Sequence, residues 1–324
     1  MTSYVSSSPT TDVNLVAAAL DGDRYALARL ISLIEDRDTA AQDALRALFP
    51  HTGRAHLIGV TGPPGSGKST LVNVLTQRIR ELDRTVGVIA VDPSSPFSGG
   101  ALLGDRVRMR DLAGDPGVFL RSMATRGSLG GLAQATNDVV KVLDAAGFDA
   151  VLIETVGAGQ SEVEIASTAH TTIVLEAPGM GDEVQALKAG LMEIADILVV
   201  NKADRPGAAR TAHALEMVID RNTPACEDGW QPPILQTVAL DGSGVPELVQ
   251  AIDDHRHHLR TTGLLAERER RRIEGELMGV LQRELLDRLL SCVGPEELDQ
   301  WIERVAAREV DVYTAASRLC ETPS

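Results

Sequence analysis

A glycine-rich segment at residues 62–70 combines the residue types that bind phosphate. It matches Gly-x4-Gly-Lys-Ser and lies between the apolar run "HLIGV" and the helix-like run "TLVNVLTQRIREL". Glycines let backbone N–H groups turn toward phosphate oxygens, and the start of the following helix adds a positive dipole. We expect Lys68 to contact the β- and γ-phosphates of a nucleoside triphosphate and the Ser69 hydroxyl to ligate Mg²⁺. The predicted phosphate-binding residues are Gly62, Pro63, Pro64, Gly65, Ser66, Gly67, Lys68, Ser69 and Thr70.

A second motif, in "ILVVNKAD", predicts which base is bound. The Asp204 carboxylate can accept hydrogen bonds from the N1–H and the exocyclic amine of guanine, whereas adenine presents an acceptor at N1. The motif therefore predicts GTP rather than ATP, with Asn201 and Lys202 bracing the base pocket. The next apolar run is expected to close this pocket through Val238, Ala239 and Leu240.

Two aspartates follow the first helix of the nucleotide-binding region. Asp92 ends the apolar run "VIAVD", and Asp105 lies in the Gly/Ser-rich segment beyond it. Carboxylates near a γ-phosphate can ligate Mg²⁺ or orient the attacking water, and Asp92 is the candidate for orienting water. Ordinary helix capping before "RVRMRDL" is the alternative role for Asp105. The predicted metal-binding residues are Ser69, Asp92, Asp105 and Glu154.

Glu154 stands where GTPases usually carry the aspartate of Asp-x-x-Gly, within "VLIETVGAGQSE". Its side chain is one methylene longer, so we expect it to approach Mg²⁺ through water. Gly157 can offer its backbone N–H to the γ-phosphate and so distinguish GTP from GDP. Gln160 lies three residues later, out of register with the water-orienting glutamine of Ras-type GTPases, and receives no catalytic role. The predicted catalytic residues are Lys68, Asp92, Glu154 and Gly157.

Short apolar runs separated by helix-length segments would position these residues. Runs with little polar alternation are typical of strands buried in a parallel sheet, and helices between them indicate βαβ units. Open α/β sheets bind ligands at the carboxyl ends of their strands, where these motifs fall. The predicted fold class is therefore α/β, a P-loop NTPase with a mostly parallel central sheet flanked by helices, plus N-terminal and C-terminal helical extensions.

We predict three regions along the chain. Residues 1–52 form an N-terminal helical module, 53–260 the GTPase domain, and 261–324 a C-terminal helical dimerisation region. In the last region, the apolar stripe that begins at Ile273 could pack on the main domain or on a second subunit, and its spacing leaves both open. The charge run "AERERRR" is predicted to be a solvated helix face, and "PEELDQWIERVAAREVDVYTAASRLC" a further helix.

Composition limits the partners. The net charge is −15 and aromatic residues make up 3% of the chain, which disfavours phosphate-backbone binding and base stacking. No signal peptide is recognised, and no apolar stretch reaches the roughly 20 residues of a membrane span. We therefore expect a cytoplasmic protein that binds neither nucleic acid nor membrane. The histidines of "DDHRHH" have no cysteine nearby and are predicted to be solvated rather than metal-binding.

With these motifs assembled, the chain resembles the MeaB/ArgK-type GTPases, which are associated with methylmalonyl-CoA mutase. This group belongs to the metallocofactor-handling GTPases of the SRP/MinD-like class of P-loop NTPases. The resemblance is carried by "GVTGPPGSGKSTL", "VDPSSPFSGGALLGDRVRM", "IETVGAGQSE", "APGMGDEVQALKAG" and "NKAD". It implies a homodimer and a partner, an adenosylcobalamin-dependent acyl-CoA mutase. The GTPase would gate cofactor loading and protect or reactivate the mutase, and the mutase would accelerate GTP hydrolysis.

The resemblance also gives "APGMGDEVQALKAG" the role of an additional switch, in which Asp182 and Lys188 couple nucleotide state to the mutase. Plain helix capping by Asp182 and a solvated Lys188 are the alternative. The competing functions are an ArgK-like kinase or ATPase linked to amino-acid transport, a nickel-insertion GTPase, and an interaction protein with a vestigial nucleotide site. Asp204 counts against the first, the lack of Cys/His clusters against the second, and the intact Lys68 and Ser69 against the third.

Overall fold

The structure is a computed structural model of the chain. It describes residues 9–36, 38–93, 112, 114–125, 131–155, 161–179, 193–222 and 229–321.

The described residues form a parallel sheet of seven strands, which confirms the predicted fold class. The strands are β1 (His56–Thr61), β2 (Val86–Pro93), β3 (Val118–Thr125), β4 (Ala150–Thr155), β5 (Thr171–Glu176), β6 (Ile197–Asn201) and β7 (Ile234–Thr237). Their order across the sheet is β3-β2-β4-β1-β5-β6-β7. β1 therefore lies inside the sheet between β4 and β5, and its carboxyl end is flanked by the ends of both neighbours.

The described helices are α1 (Pro9–Leu20), α2 (Arg24–Glu35), α3 (Thr39–Leu48), α4 (Lys68–Arg80), α5 (Gly131–Ala145), α6 (Ser161–Thr168), α7 (Ala208–Asn222), α8 (Val245–Thr261), α9 (Leu264–Val293), α10 (Pro295–Ala306) and α11 (Val312–Glu321). Helices that precede α9 cover both faces of this sheet, as parallel strands require. On one face, Leu71 of α4 and Leu248 of α8 pack on Leu152 of β4. On the other, Leu143 of α5 and Ile165 of α6 join Ile153 of β4.

The N-terminal helices belong to this second face. Leu27 and Ile31 of α2 are buried in the same apolar cluster as Ile153 of β4. The segment Asp21-Gly22-Asp23, of residue types that typically stop one helix and start the next, separates α1 from α2, and Asp23 caps α2 by accepting a hydrogen bond from the Ala26 backbone N–H at 2.7 Å. These helices are thus anchored to the sheet by burial of apolar side chains.

The sequence pattern does not predict strand β3 or the break between α10 and α11. β3 mixes polar Arg121 and Ser122 with apolar residues, and among the described strands it pairs only with β2, at the edge of the sheet. The prediction of a single helix after Pro295 is wrong, because α10 ends at Ala306 and α11 begins at Val312. Arg308 adopts a left-handed φ of 60° between them, and Asp311 accepts hydrogen bonds from the first backbone N–H groups of α11.

By its internal contacts the chain divides into two compact units, with the boundary between Arg270 and Arg271 within α9. The second unit is almost without a core of its own. The only hydrophobic residues buried among its described positions are Val293 and Ala315. Its apolar stripe is largely exposed to solvent.

The amino ends of the central strands carry a group of buried and half-buried polar side chains, here called the amino-edge cluster. Its members are His56, His170, Thr171, Asp196, His255, Arg268 and Glu269. His56 Nε2 and His255 Nδ1 each lie 2.8 Å from the Thr171 hydroxyl. His255 Nε2 lies 3.3 Å from Asp196 Oδ1. The cluster therefore links β1 and β5 to α8 and to the residue preceding β6.

The start of α9 is held by the same cluster. The Arg268 guanidinium donates to both oxygens of Asp196, at 2.8 and 2.9 Å, and to the His170 carbonyl at 2.7 Å. His170 Nε2 forms a further hydrogen bond with Glu269. The prediction of solvated groups is therefore wrong for Arg268 and Glu269 in the charge run, and for the fully buried His255 in "DDHRHH".

Candidate nucleotide-binding site

The phosphate loop joins the end of β1 to the start of α4, and close contacts require two of its glycines. A Cβ on Gly62 would lie 2.3 Å from the Leu175 carbonyl oxygen, and one on Gly67 would lie 2.4 Å from Asn201 Nδ2. Both residues also have positive φ, 143° and 96°. The glycines therefore allow the loop to pack directly on β5 and on the side chain that ends β6.

Lys68 lies in this loop and is buried. Its Nζ donates to the carbonyl oxygens of Gly62 at 2.8 Å and Pro63 at 3.0 Å, so the loop itself holds the ammonium group. The Ser66 hydroxyl is also buried and has no hydrogen-bond partner in the described part of the chain. A fixed cation and a buried hydroxyl within a glycine-rich turn suit a phosphate ligand.

Ser69 and Glu154 meet although they are 85 residues apart in the chain. The Ser69 hydroxyl donates to Glu154 Oε1 at 2.5 Å, and the Glu154 side chain is buried at the end of β4. An alcohol oxygen beside a carboxylate is a hard-oxygen donor set, which Mg²⁺ prefers. The pair therefore fits the predicted metal position.

Asn201 ties the phosphate loop to the loop after β7. Its Nδ2 donates to the Ser66 carbonyl at 2.8 Å, and its Oδ1 accepts from the Ala239 backbone N–H at 3.1 Å. The Thr237 hydroxyl donates to the same Oδ1 at 3.2 Å. Both ends of the buried amide are thus engaged with protein, which gives Asn201 a bracing role.

The remaining residues predicted to form the base pocket lie at the end of β6 and in the loop after β7. Lys202 has a left-handed φ of 58° and donates from Nζ to the Gly65 carbonyl at 2.5 Å, which directs its stem along the loop. Asp204 lies exposed in the turn after β6. Leu240, in the loop after β7, is 87% exposed. An exposed carboxylate can meet the edge of a base, and an exposed apolar side chain can meet its face.

A short turn stabilises the loop after β7. The Val238 N–H donates to the Ser243 carbonyl at 2.9 Å, and the Ser243 N–H donates to Asp241 Oδ1 at 2.9 Å. Hydrogen bonds from the backbone and then the side chain of Ser243 lower the pKa of the Asp241 carboxyl below its usual value. Asp241 therefore stabilises the turn in its ionised form.

A buried acid that the sequence motifs do not predict, Glu176, also lies at the carboxyl ends of the strands. Glu176 ends β5, is 1% exposed, and accepts a long hydrogen bond from the Ala177 backbone N–H at 3.3 Å. Its neighbour Leu175 contacts Gly62 of the phosphate loop. The charged residue that closes the apolar run "TTIVLE" is the signal that could have drawn attention to it.

Several predicted site residues lie outside the described residues. These are Asp105, Gly157, Asp182 and Lys188, and Gln160 lies there as well. The backbone of Asp92 lies within β2, which pairs with β4, but the Asp92 side chain is also outside the described part of the structure. The described geometry therefore concerns the phosphate loop, Glu154 and the base pocket.

In the part of the chain that the structure describes, no group of three or more His, Cys, Asp or Glu side chains is arranged to hold a metal ion. None of the described helices is long and apolar enough to cross a membrane.

The chain is similar in sequence and in fold to several known proteins. The profile of the family described as methylmalonyl Co-A mutase-associated GTPase MeaB matches residues 27–293. A protein of Pyrococcus abyssi named as a GTPase is 48% identical over 306 residues, which cover 94% of each chain. The GTPase ArgK of Escherichia coli is 37% identical over 280 residues, 83% of each chain. The crystal structure of an LAO/AO transport system kinase superposes with a TM-score of 0.75 at 28% identity, covering 97% of this chain and 98% of its own.

Proposed function

The chain belongs to the MeaB family of methylmalonyl Co-A mutase-associated GTPases, and from this we propose that it is a metallocofactor chaperone. In this role it gates adenosylcobalamin loading and protects or reactivates a cobalamin-dependent acyl-CoA mutase of the methylmalonyl-CoA mutase type. The observation that carries the proposal is the match to this mutase-associated family over residues 27–293. The GTPase activity itself follows from family membership.

The described residues suggest how GTP is held. The phosphate loop offers backbone N–H groups and the Lys68 ammonium to the phosphates, and the dipole of α4 adds positive charge. Asp204 accepts from guanine, while Asn201 and Lys202 keep the base pocket against the phosphate loop. Val238, Ala239 and Leu240 form the opposite side of the pocket. One ligand then spans three strand ends.

The metal position is proposed at Ser69 and Glu154, with Asp92 and Asp105 as further ligands or ligands of bound water. A bound Mg²⁺ would neutralise charge between phosphate oxygens. Glu154 holds the Ser69 hydroxyl by a 2.5 Å hydrogen bond, so the alcohol oxygen is already oriented toward β4. Asp92 remains the candidate for orienting the attacking water.

A slow basal rate that the mutase accelerates is part of the proposal. Gln160 stands three residues after Gly157, so the chain lacks a glutamine at the water-orienting position of Ras-type GTPases. A GTPase without this group benefits from a partner that orders the switch loops. Gly157 and the segment with Asp182 and Lys188 would then carry nucleotide state to the mutase.

Self-association through the C-terminal unit is proposed as well. Along α9, Ile273, Leu277, Leu281 and Leu285 are between 44% and 64% exposed at successive helical turns. A contiguous exposed apolar stripe on a unit with so few buried residues needs a covering surface, and a second copy supplies an identical one. Leu277→Glu should shift the mass measured by light scattering from dimer to monomer. Leu82→Glu, at a similarly exposed leucine just after α4, should leave the mass unchanged.

The central experiment measures nucleotide turnover by the full chain with and without purified methylmalonyl-CoA mutase. GTP should be hydrolysed in preference to ATP, and the rate should rise when the mutase is added. In parallel, mutase activity should last longer during turnover when the chain and GTP are both present than when GDP replaces GTP. No response in either assay would overturn the chaperone role while leaving the GTPase assignment intact.

The transport-linked kinase is the second candidate, favoured by the similarity to the LAO/AO transport system kinase. It requires ATP and a phosphorylated acceptor, and Asp204 presents only acceptor atoms to the N1 acceptor of adenine. The test uses ATP and GTP that are each radiolabelled at the γ-phosphate. Transfer of label from ATP to an acceptor would support the kinase, whereas release of labelled phosphate from GTP would support the GTPase.

A further inference from the structure

Two buried threonines connect the strands on either side of the phosphate loop. Thr61 is the last residue of β1 and Thr155 the last residue of β4, and the pairing of Val60 with Glu154 places them side by side. The Thr155 hydroxyl donates to the Thr61 hydroxyl at 3.0 Å. Thr61 is fully buried and Thr155 nearly so. Both hydroxyls therefore lie in a low-dielectric region, where hydrogen bonding compensates for the loss of water.

This contact complements the one that Glu154 makes. Side chains alternate between the faces of a strand, so Glu154 shares the face of Leu152 and meets α4 at Ser69. Thr155 shares the opposite face with Ile153 and meets Thr61. Thr61 directly precedes the phosphate-binding segment 62–70, and Ser69 lies near the other end of that segment. Adjacent residues of β4 thus hold both ends of the loop.

The position of Thr155 also concerns the γ-phosphate. It directly precedes residues 156–160, which include Gly157, the predicted backbone donor to this phosphate. A fixed strand end would set where that donor begins relative to the phosphate loop. Hydrolysis depends on such positioning, because small displacements of phosphate-binding groups are costly.

We propose that Thr61 and Thr155 are positioning residues that fix the end of β4 against the phosphate loop for GTP hydrolysis. The inference rests on the GTPase part of the proposed function and requires no mutase. The end of β4 then holds the phosphate loop at two points, an arrangement here called the clamp. Glu154 aligns the Ser69 hydroxyl, which is the proposed metal ligand, and Thr155 aligns Thr61, the residue before the loop. Contacts to the γ-phosphate depend on this clamp more than contacts to the α- and β-phosphates.

The test replaces each threonine by valine, which keeps the shape and removes the hydroxyl. Thr155→Val and Thr61→Val should each lower kcat for GTP about fivefold, as expected for the loss of one neutral hydrogen bond. The affinity ratio for a non-hydrolysable GTP analogue over GDP should fall in parallel, while GDP affinity changes little. Thr155→Ser, which keeps the hydroxyl, should restore kcat.

A double variant separates positioning from stability. Removing both hydroxyls leaves no unpaired polar atom, so thermal stability should recover in Thr61→Val/Thr155→Val. The kcat should nevertheless stay as low as in the single variants, because they share one interaction. The matched control is Thr76→Val, at an equally buried threonine of α4 whose hydroxyl donates to the Val72 carbonyl at 2.7 Å.

Three outcomes would overturn the inference. Thr155→Val could match Thr76→Val in kcat and in the nucleotide ratio. Stability alone could change in the single variants. The double variant could regain kcat together with stability. Loss of GTP turnover in the unmodified chain would instead contradict the GTPase assignment, and a failed mutase assay would bear only on the chaperone role.

Discussion

The carboxyl ends of the central strands, here called the carboxyl edge, and their amino ends, the amino edge, both carry polar side chains. The two sets of side chains have opposite roles. At the carboxyl edge, β1, β4 and β6 end in the phosphate loop, Glu154 and Asn201, and the glycines there adopt positive φ so that backbone groups can face a ligand. At the amino edge, the polar side chains are buried against one another and hold the start of α9.

The carboxyl edge is arranged to bind a ligand, whereas the amino edge anchors the start of α9 to the sheet. At the carboxyl edge Asp204 is exposed and the Lys68 ammonium rests on carbonyl groups of its own loop, so both can meet a ligand. Asp196 at the amino edge already accepts two hydrogen bonds from Arg268 and another from the Thr172 backbone N–H. Substitutions at the first edge should alter nucleotide turnover, and those at the second should alter stability.

The largest effect is expected from Lys68→Ala. Loss of the cation in the phosphate loop should lower kcat/KM for GTP by about 10² to 10³-fold, comparable to removing one electrostatic contact to a developing charge. Steady-state phosphate release gives this value directly. Lys141→Ala on α5, where a partly buried lysine pairs with Asp138 at 3.2 Å, is the control and should retain turnover. Equal losses in both variants would contradict the role of Lys68.

At the amino edge, Arg268→Ala should lower the free energy of unfolding by about 3 kcal/mol, because the buried Asp196 carboxylate loses the guanidinium that donates to both of its oxygens. Chemical denaturation measures the loss, and KM for GTP should stay unchanged. Arg270→Ala, at an exposed arginine two residues later, should change stability by less than about 0.5 kcal/mol. A large rise in KM for Arg268→Ala would remove the distinction between the edges.

Base recognition should give a smaller effect. Asp204→Asn should weaken GTP binding roughly 10- to 100-fold, since a charged hydrogen-bond acceptor is replaced by a neutral amide. The new amide N–H₂ can donate to the carbonyl that xanthine carries where guanine has its amine, so xanthosine triphosphate should gain affinity. Competition binding with both nucleotides tests the exchange. Unchanged GTP affinity would refute the base-reading role of Asp204.

The smallest effect concerns pH at the amino edge. Burial, together with the nearby His170 and Arg256, lowers the pKa of His56 well below its usual value, so His56 is neutral in the folded chain. The unfolded chain binds this proton near pH 6.5, so the contribution of His56 is complete above that pH and decreases as pH falls below it. Between pH 6.5 and 5.5 the free energy of unfolding should drop by about 1 kcal/mol.

Denaturation curves across that pH range measure the slope, and His56→Gln should flatten it. The KM for GTP should not follow the same profile, because His56 lies at the other end of β1 from the phosphate loop. An identical slope in His56→Gln would assign the pH dependence to other groups.

Much of the fold and site follows from local sequence. The phosphate loop, the break at Asp21–Asp23 and six of the strands have contiguous signals, because turn geometry and buried strands impose their residue types within a few positions. β3 mixes polar and apolar residues at an edge of the sheet and carries no such signal. The break between α10 and α11 depends on Arg308 in a left-handed conformation, which residue type does not favour.

The sequence by itself determined the residues of the carboxyl edge: a phosphate loop, an acid at the end of an apolar run, and the aspartate that we propose reads guanine. Tertiary structure alone decided which distant residues meet. Thr61 finds Thr155 only because β4 lies beside β1, and His56 finds Thr171, 115 residues away, only because β5 lies on its other side. Local propensity encodes backbone geometry, whereas the partner of a buried polar group is selected by strand order and packing.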